Sequence, residues 1–197
     1  MGVPPESRNR VAVAVQMVNA KPMIRFVSAY LRTLAAGLAA GLTVLAGAAG
    51  PVLAGCTDPP SPGVNWQRCI FDGQDINQAD LTGARLRDGS FFRATLTGSN
   101  LSKISAFKVK FVNAAMLDVN LDGAELSEAD FTKANLTGAS LKGADLRRAR
   151  FFDAVLRQAD LSDARLTGAD FTRADLTGAT WTDGKRICGA GSIGRCN

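Results

Sequence analysis

From residue 66 to residue 181 a large apolar side chain returns at every fifth position in one unbroken register, running Trp66, Phe71, Ile76, Leu81 and on to Phe171, Leu176 and Trp181. Only Ala106 among these centres is small. Two residues before each centre stands Ala in most units, without exception from Ala124 to Ala179, and the positions between are polar. A helix places apolar residues three and four apart and a strand places them two apart, so a period of five fits neither. The pattern predicts a different regular shape in which every fifth side chain points inward.

The units Ala129-Asp130-Phe131-Thr132-Lys133 and Ala174-Asp175-Leu176-Thr177-Gly178 carry the motif A-[DN]-[LF]-x-x, and with it the chain resembles the pentapeptide-repeat family. The resemblance covers residues 64–183. It implies an all-β fold, a right-handed quadrilateral β-helix with four pentapeptides per turn, here about six turns and about 29 Å long at the spacing of paired strands. If four units make one turn, residues 20 apart must stack, and the sequence tests this. Phe71, Phe91, Phe111, Phe131, Phe151 and Phe171 fall in one column of centres, and the other three columns contain no phenylalanine. A stack of aromatic rings inside the coil explains that order. Outward positions agree: Arg68, Asp88, Lys108, Glu128 and Arg148 alternate in sign, as do Lys110, Asp130, Arg150 and Asp170. Such exposed pairs tune register more than they hold the fold.

Glycine two residues after the centre, as at Gly83, Gly98, Gly138 and Gly178, suits a corner with positive φ. The run KISAFKVKF, 103–111, departs from the motif, with Ile104 and Val109 in corner places and Ala106 at the centre. Either a larger corner compensates a smaller centre, or a local bulge turns Phe107 inward.

Charge changes the picture at the front of the chain. Formal net charge is +5, yet Arg8, Arg10, Lys21, Arg25 and Arg32 precede residue 33 against Glu6 alone, and the remainder holds 18 basic and 17 acidic residues. Thr33 to Gly55 carries no charge. A basic region followed by an apolar one and a small-residue site is the order of a secretory signal peptide. MIRFVSAYLR already forms a complete basic region, which points to a start at Met17 or Met23. Val52-Leu53-Ala54 fits cleavage after Ala54, whereas Leu53-Ala54-Gly55-Cys56 resembles a lipoprotein lipobox, and an uncleaved anchor is a third reading. All three put the repeats outside the cytoplasm, periplasmic or secreted, or anchored through Cys56. The expected organisation is 1–54 N-terminal extension and signal peptide, 55–63 Pro-rich linker or cap, 64–183 β-helix, and 184–197 C-terminal cap.

The four cysteines, Cys56, Cys69, Cys188 and Cys196, allow three pairings. Cys69 belongs to the first turn of the coil and Cys188 follows the last, so bridges between the ends would cross most of the rod. The reach of a disulfide leaves Cys56 with Cys69 and Cys188 with Cys196, closing a cap at each end. Export permits such bonds, and lipidation of Cys56 would orphan Cys69.

Catalytic chemistry is not indicated. There is no histidine, which removes Ser-His and Cys-His arrangements, and the carboxylates recur at polar repeat positions beside basic neighbours. No cofactor, metal or small-molecule substrate is implied. Interleaved charges argue against nucleic acid, and membrane contact is expected only if Cys56 is lipidated or the signal stays uncleaved. An unknown protein partner is the remaining expectation. The outward apolar residues Phe92, Val112 and Phe152 form its candidate surface, weighed against the ordinary scatter of apolar residues on a protein surface. The sequence thus reads as an exported, non-catalytic scaffold or binding module. Its alternatives are a membrane-anchored lipoprotein with the same domain and a cytoplasmic DNA-mimic regulator of a DNA topoisomerase, a role known in the family.

Overall fold

The computed structural model describes residues 55–197. The expected extension and signal peptide, 1–54, lie outside the described residues. From Asn65 to Asp160, every fifth residue makes a parallel β-bridge to the residue 20 further on, as in Asn65 with Arg85, Lys110 with Asp130 and Asp160 with Thr180. The chain is therefore a repeat solenoid in which levels of twenty residues stack. Its ladder differs from the extended strands that an all-β class suggests: among the described residues each rung is one residue wide, separated from the next by a two-residue turn.

The turn explains why. In most repeats the N–H three residues after the centre donates back to the centre's carbonyl, as from Ala134 to Phe131 at 2.9 Å, which closes a β-turn over the corner. The turn's third residue has positive φ. Glycine fills it at Gly83, Gly98, Gly138 and Gly178, but fifteen non-glycine residues adopt the same conformation, among them Arg68, Lys133 and Arg173. A left-handed residue with a Cβ costs roughly 1 kcal/mol, so the fold tolerates a recurrent local strain. Backbone bonds between levels oppose it, such as Phe131 N–H to Arg150 O at 2.7 Å and Arg150 N–H to Ala129 O at 2.9 Å.

The interior is closed and apolar. Leu81, Leu101, Leu121, Leu141 and Leu161 are fully buried, as are the corner alanines from Ala124 to Ala159. The six phenylalanines form one column with centroid spacings of 5.2, 5.2, 5.3, 5.0 and 4.8 Å. Trp66 and Trp181 lie tilted against its two ends at 4.3 and 5.9 Å. At KISAFKVKF the compensation reading describes the packing: Ile104, Ala106 and Val109 are all fully buried, Phe107 stays on the outer side, and the bridges Ser105 to Glu125 and Lys110 to Asp130 keep register. There is no bulge.

Both ends carry a disulfide. Cys56 bonds Cys69 with Cα atoms 5.5 Å apart, and Cys188 bonds Cys196 at 4.8 Å. At the front, the Trp66 indole N–H donates to the Asp58 carbonyl at 3.2 Å, which draws the Pro-rich segment over the first level. At the back, the chain reverses and pairs antiparallel, Thr180 with Ile187 and Asp175 with Ile193. That hairpin supplies acceptors for the N–H groups of Leu176, Gly178 and Trp181. On the other two sides of this end, Leu166 and Phe171 remain half-buried where their counterparts one level down, Leu146 and Phe151, are fully buried.

Candidate functional site

Polar repeat positions do more than face water. The Asp or Asn just before the centre uses its side-chain Oδ1 to accept the backbone N–H two residues on: Asp130 from Thr132 at 2.9 Å, Asn120 from Asp122 at 2.9 Å and Asp80 from Thr82 at 3.1 Å. This Asx bond organises the turn that follows the bridge and gives the [DN] of the motif a structural role. Hydrogen bonds from the Thr82 hydroxyl and N–H hold the Asp80 carboxyl below its ordinary range, and Thr172 does the same for Asp170. For Asp175 burial pushes upward, but bonds from Thr177 and Arg157 outweigh it. These carboxylates are stabilised in the ionised form, the opposite of what a general acid needs.

The alternating charge columns close in part. Glu128 lies 3.7 Å from Lys108 and 3.1 Å from Arg148, and Asp130 lies 3.9 Å from Arg150. Among the described residues Asp88 and Asp170 make no ion pair with the cations above and below them. The aspartate stem is short, and Asp170 is turned to its own Thr172 instead. A two-point pair lies within one repeat, outside the alternating columns: Arg147 Nε and Nη2 grip Asp145, with 2.6 Å from Nη2 to Oδ2, and pull that carboxyl down to about 2. Arg165 reaches the same carboxylate from the next level at 3.7 Å.

The candidate partner residues Phe92, Val112 and Phe152 are half-buried and lie along the coil, as does Phe107. Arg93 stands 4.8 Å over the Phe92 ring and Arg173 5.4 Å over Phe152, while Phe107 sits between Arg87 at 5.2 Å and Lys108 at 5.1 Å. Each outward ring thus carries a cation on its face. The most exposed large apolar residues are others: Ile70 at 72%, Ile187 at 58% and Ile193 at 51%.

Sorting the outward residues by column, which the bridges fix, shows a segregation that a sum along the chain hides. Two adjacent sides hold the columns through Asn65, Gln67, Arg68, Ile70, Asp72 and Gly73. Over residues 65–173 these sides carry twelve cations and eight acids. The two opposite sides carry only Lys103, Lys142 and Arg157 against eight acids up to Asp183. On the basic sides the excess is also uneven: residues 65–113 contain Arg68, Arg85, Arg87, Arg93, Lys108 and Lys110 against Asp72 and Asp88, whereas 125–173 contain six cations and six acids. The expectation of interleaved charge is corrected here: signs alternate within a column, where Glu128 stands between Lys108 and Arg148, but the cations concentrate on two of the sides while the acids are shared equally between the two pairs of sides.

An open groove of about 430 Å³ runs between Lys108, Lys110, Glu128, Asp130, Arg148 and Arg150, and a second of about 300 Å³ lies beside Phe107 and Arg147. Both are shallow surface features. Among the described residues no group of three His, Cys, Asp or Glu side chains is placed to hold a metal, and no helix is long and apolar enough to cross a membrane.

A family described as the pentapeptide repeat region matches residues 104–181. Among solved structures the chain is similar to HetL, a pentapeptide repeat protein involved in heterocyst differentiation regulation in the cyanobacterium Nostoc sp. strain PCC 7120, with 30% identity over 62% of this chain and 74% of that one and a TM-score of 0.45. It is similar to Rfr23 of the cyanobacterium Cyanothece 51142 at 20% identity, over 60% of this chain and 90% of that one, with a TM-score of 0.38. A pentapeptide repeat protein from the thylakoid lumen of Arabidopsis thaliana is 26% identical over 70% of this chain and 79% of that one, with a TM-score of 0.26. No curated protein matches the chain. With repeats in register from Trp66 to Trp181, a family match over about two thirds of them and 30% identity across most of HetL, the chain belongs to the pentapeptide-repeat family.

Proposed function

We propose that this protein is an exported, non-catalytic pentapeptide-repeat scaffold or binding module, working in the periplasm or outside the cell. Its working form is a right-handed quadrilateral β-helix of about six turns over residues 64–183, released by cleavage after Ala54, with caps at 55–63 and 184–197. The observation that carries the reading is the cysteine arrangement: both pairs are bonded and no cysteine among the described residues is free. Structural disulfides persist in oxidising compartments, and the basic and apolar leader supplies the route to one.

The same bond weighs against the lipoprotein reading, since a Cys56 sulfur joined to Cys69 has no valence left for a lipid thioether. A cytoplasmic DNA-mimic regulator calls for a continuous acidic surface, and here two of the four sides are basic. Cell fractionation with intact-mass measurement tests the choice. The expected product is envelope-associated or extracellular, begins at Gly55 and lacks four protons relative to the fully reduced chain. A full-length cytoplasmic product with free thiols would overturn the reading, and a diacylglyceryl mass increment on Cys56 would replace it with the lipoprotein.

A further inference from the structure

We propose that the N-terminal half of the basic sides is a docking surface for an anionic lipid bilayer. Three independent features meet there. The first is charge: Arg68, Arg87, Arg93, Lys108 and Lys110 lie on one side of the coil and its two flanking corners, with Asp72 and Asp88 as the acids among them. Arg68, Arg87, Arg93 and Lys110 have no ion-pair partner among the described residues, whereas in the C-terminal half of the same sides five of the six cations, Arg147, Arg148, Arg150, Arg165 and Arg173, are paired and Lys133 is not. The second is apolar surface of interfacial character. Ile70, the most exposed large apolar residue described, sits in the same column as Lys110, and the rings of Phe92 and Phe107 lie beneath Arg93 and Arg87. Arginine and aromatic side chains presenting an apolar body and a polar tip suit the headgroup boundary of a membrane.

The third is where the chain enters. The Cys56–Cys69 bond fixes the beginning of the described chain beside Arg68 and Ile70. The uncharged stretch 33–55 immediately precedes that point in sequence. A bilayer engaged by that stretch during export would therefore meet this end of the coil first. Charge complementarity then selects lipids with anionic headgroups, whose surface potential attracts each nearby Lys or Arg with a factor of about five in partition. Unlike the contact expected from an anchor, this one needs neither lipidation nor a retained signal.

The test is vesicle co-sedimentation of the purified protein with phosphatidylcholine alone and with about 30% phosphatidylglycerol, across about 0.05 to 0.5 M salt. Binding is expected only with the anionic lipid and is expected to fall as salt rises. The variant R68E/R87E/K110E is expected to lose it tenfold or more. R148E/R165E/R173E, with the same change in net charge, is expected to lose less than threefold, and R68Q/R87Q/K110Q to fall between. Melting curves and intact masses showing both disulfides and a chain that begins at Gly55 establish that each variant is folded and free of the apolar leader. Equal losses in the two charge-reversed variants, salt-independent binding, or binding to a short DNA duplex as tight as to the anionic vesicles would each overturn the proposal.

Discussion

Replacing Phe131 by Ala tests whether the stacked column holds the coil together. The ring is fully buried and touches Phe111 at 5.3 Å and Phe151 at 5.0 Å, with interplanar angles of 19° and 1°. Removing a buried Phe side chain costs about 3 to 5 kcal/mol, transfer and cavity together, and the cavity here cannot collapse because bridges above and below fix the levels. Phe171 belongs to the same column but is half-buried, on a side the C-terminal hairpin leaves open, so Phe171→Ala is expected to cost about half as much. Urea unfolding followed by circular dichroism gives both values, and Trp66 and Trp181 report the two ends separately by fluorescence. A double-mutant cycle sharpens the result: Phe131 and Phe151 are expected to couple by about 0.5 to 1.5 kcal/mol, whereas Phe91 and Phe151, three levels apart, are expected to be additive within about 0.5 kcal/mol. A Phe131→Ala cost below about 1 kcal/mol, or equal coupling in the two cycles, would refute the reasoning.

Gly138 and Gly143 both have positive φ, but a Cβ on Gly138 would collide with the Asp118 carboxylate, while one on Gly143 would meet nothing within 4 Å. The Asp118 carboxylate can turn aside, so Gly138→Ala is expected to exceed Gly143→Ala by less than about 1 kcal/mol in thermal melts, and both carry the cost of a Cβ at positive φ. Asp145 is depressed from 3.8 to about 2 by Arg147, so its contribution is complete above about pH 4 and vanishes as pH falls toward 2. Asp145→Asn is expected to cost about 1 to 2 kcal/mol at neutral pH, after allowance for solvent screening, with the gap to wild type closing below pH 4 in pH-dependent urea titrations. Opening the Cys188–Cys196 loop by C188S/C196S is expected to cost about 2 to 3 kcal/mol and to expose Trp181 to acrylamide quenching before Trp66.

The column of phenylalanines, the buried leucines and the corner alanines were all legible in the sequence, because a narrow interior admits only certain sizes at certain periods. Phe131 and Ala129 could be placed without coordinates. Other features escaped for physical reasons. The turn bond of Asp130 to Thr132 looks, in the sequence, the same as a polar residue facing water. Arg68 and Lys133 take a conformation that composition assigns to glycine, since the ladder imposes it. A sum of charge along the chain is nearly neutral over the repeats, and signs alternate within the column of Lys108, Glu128 and Arg148, but a partner meets the charge side by side around the coil. In that direction Arg68, Arg87 and Lys110 gather, while Asp118, Asp122 and Asp160 lie on the opposite sides.

Every assignment of a side, corner or column rests on the 20-residue register, and a cysteine pair measures it most directly. Asp130 and Arg150 face outward as bridge partners on adjacent levels, at the spacing of paired strands, which is within disulfide reach. D130C/R150C is predicted to lose two further protons under mild oxidation and to yield a 130–150 cross-linked peptide, while D130C/D145C, 15 residues apart and on different sides, stays reduced. Cross-linking of the 15-residue pair with a free 20-residue pair would contradict the account.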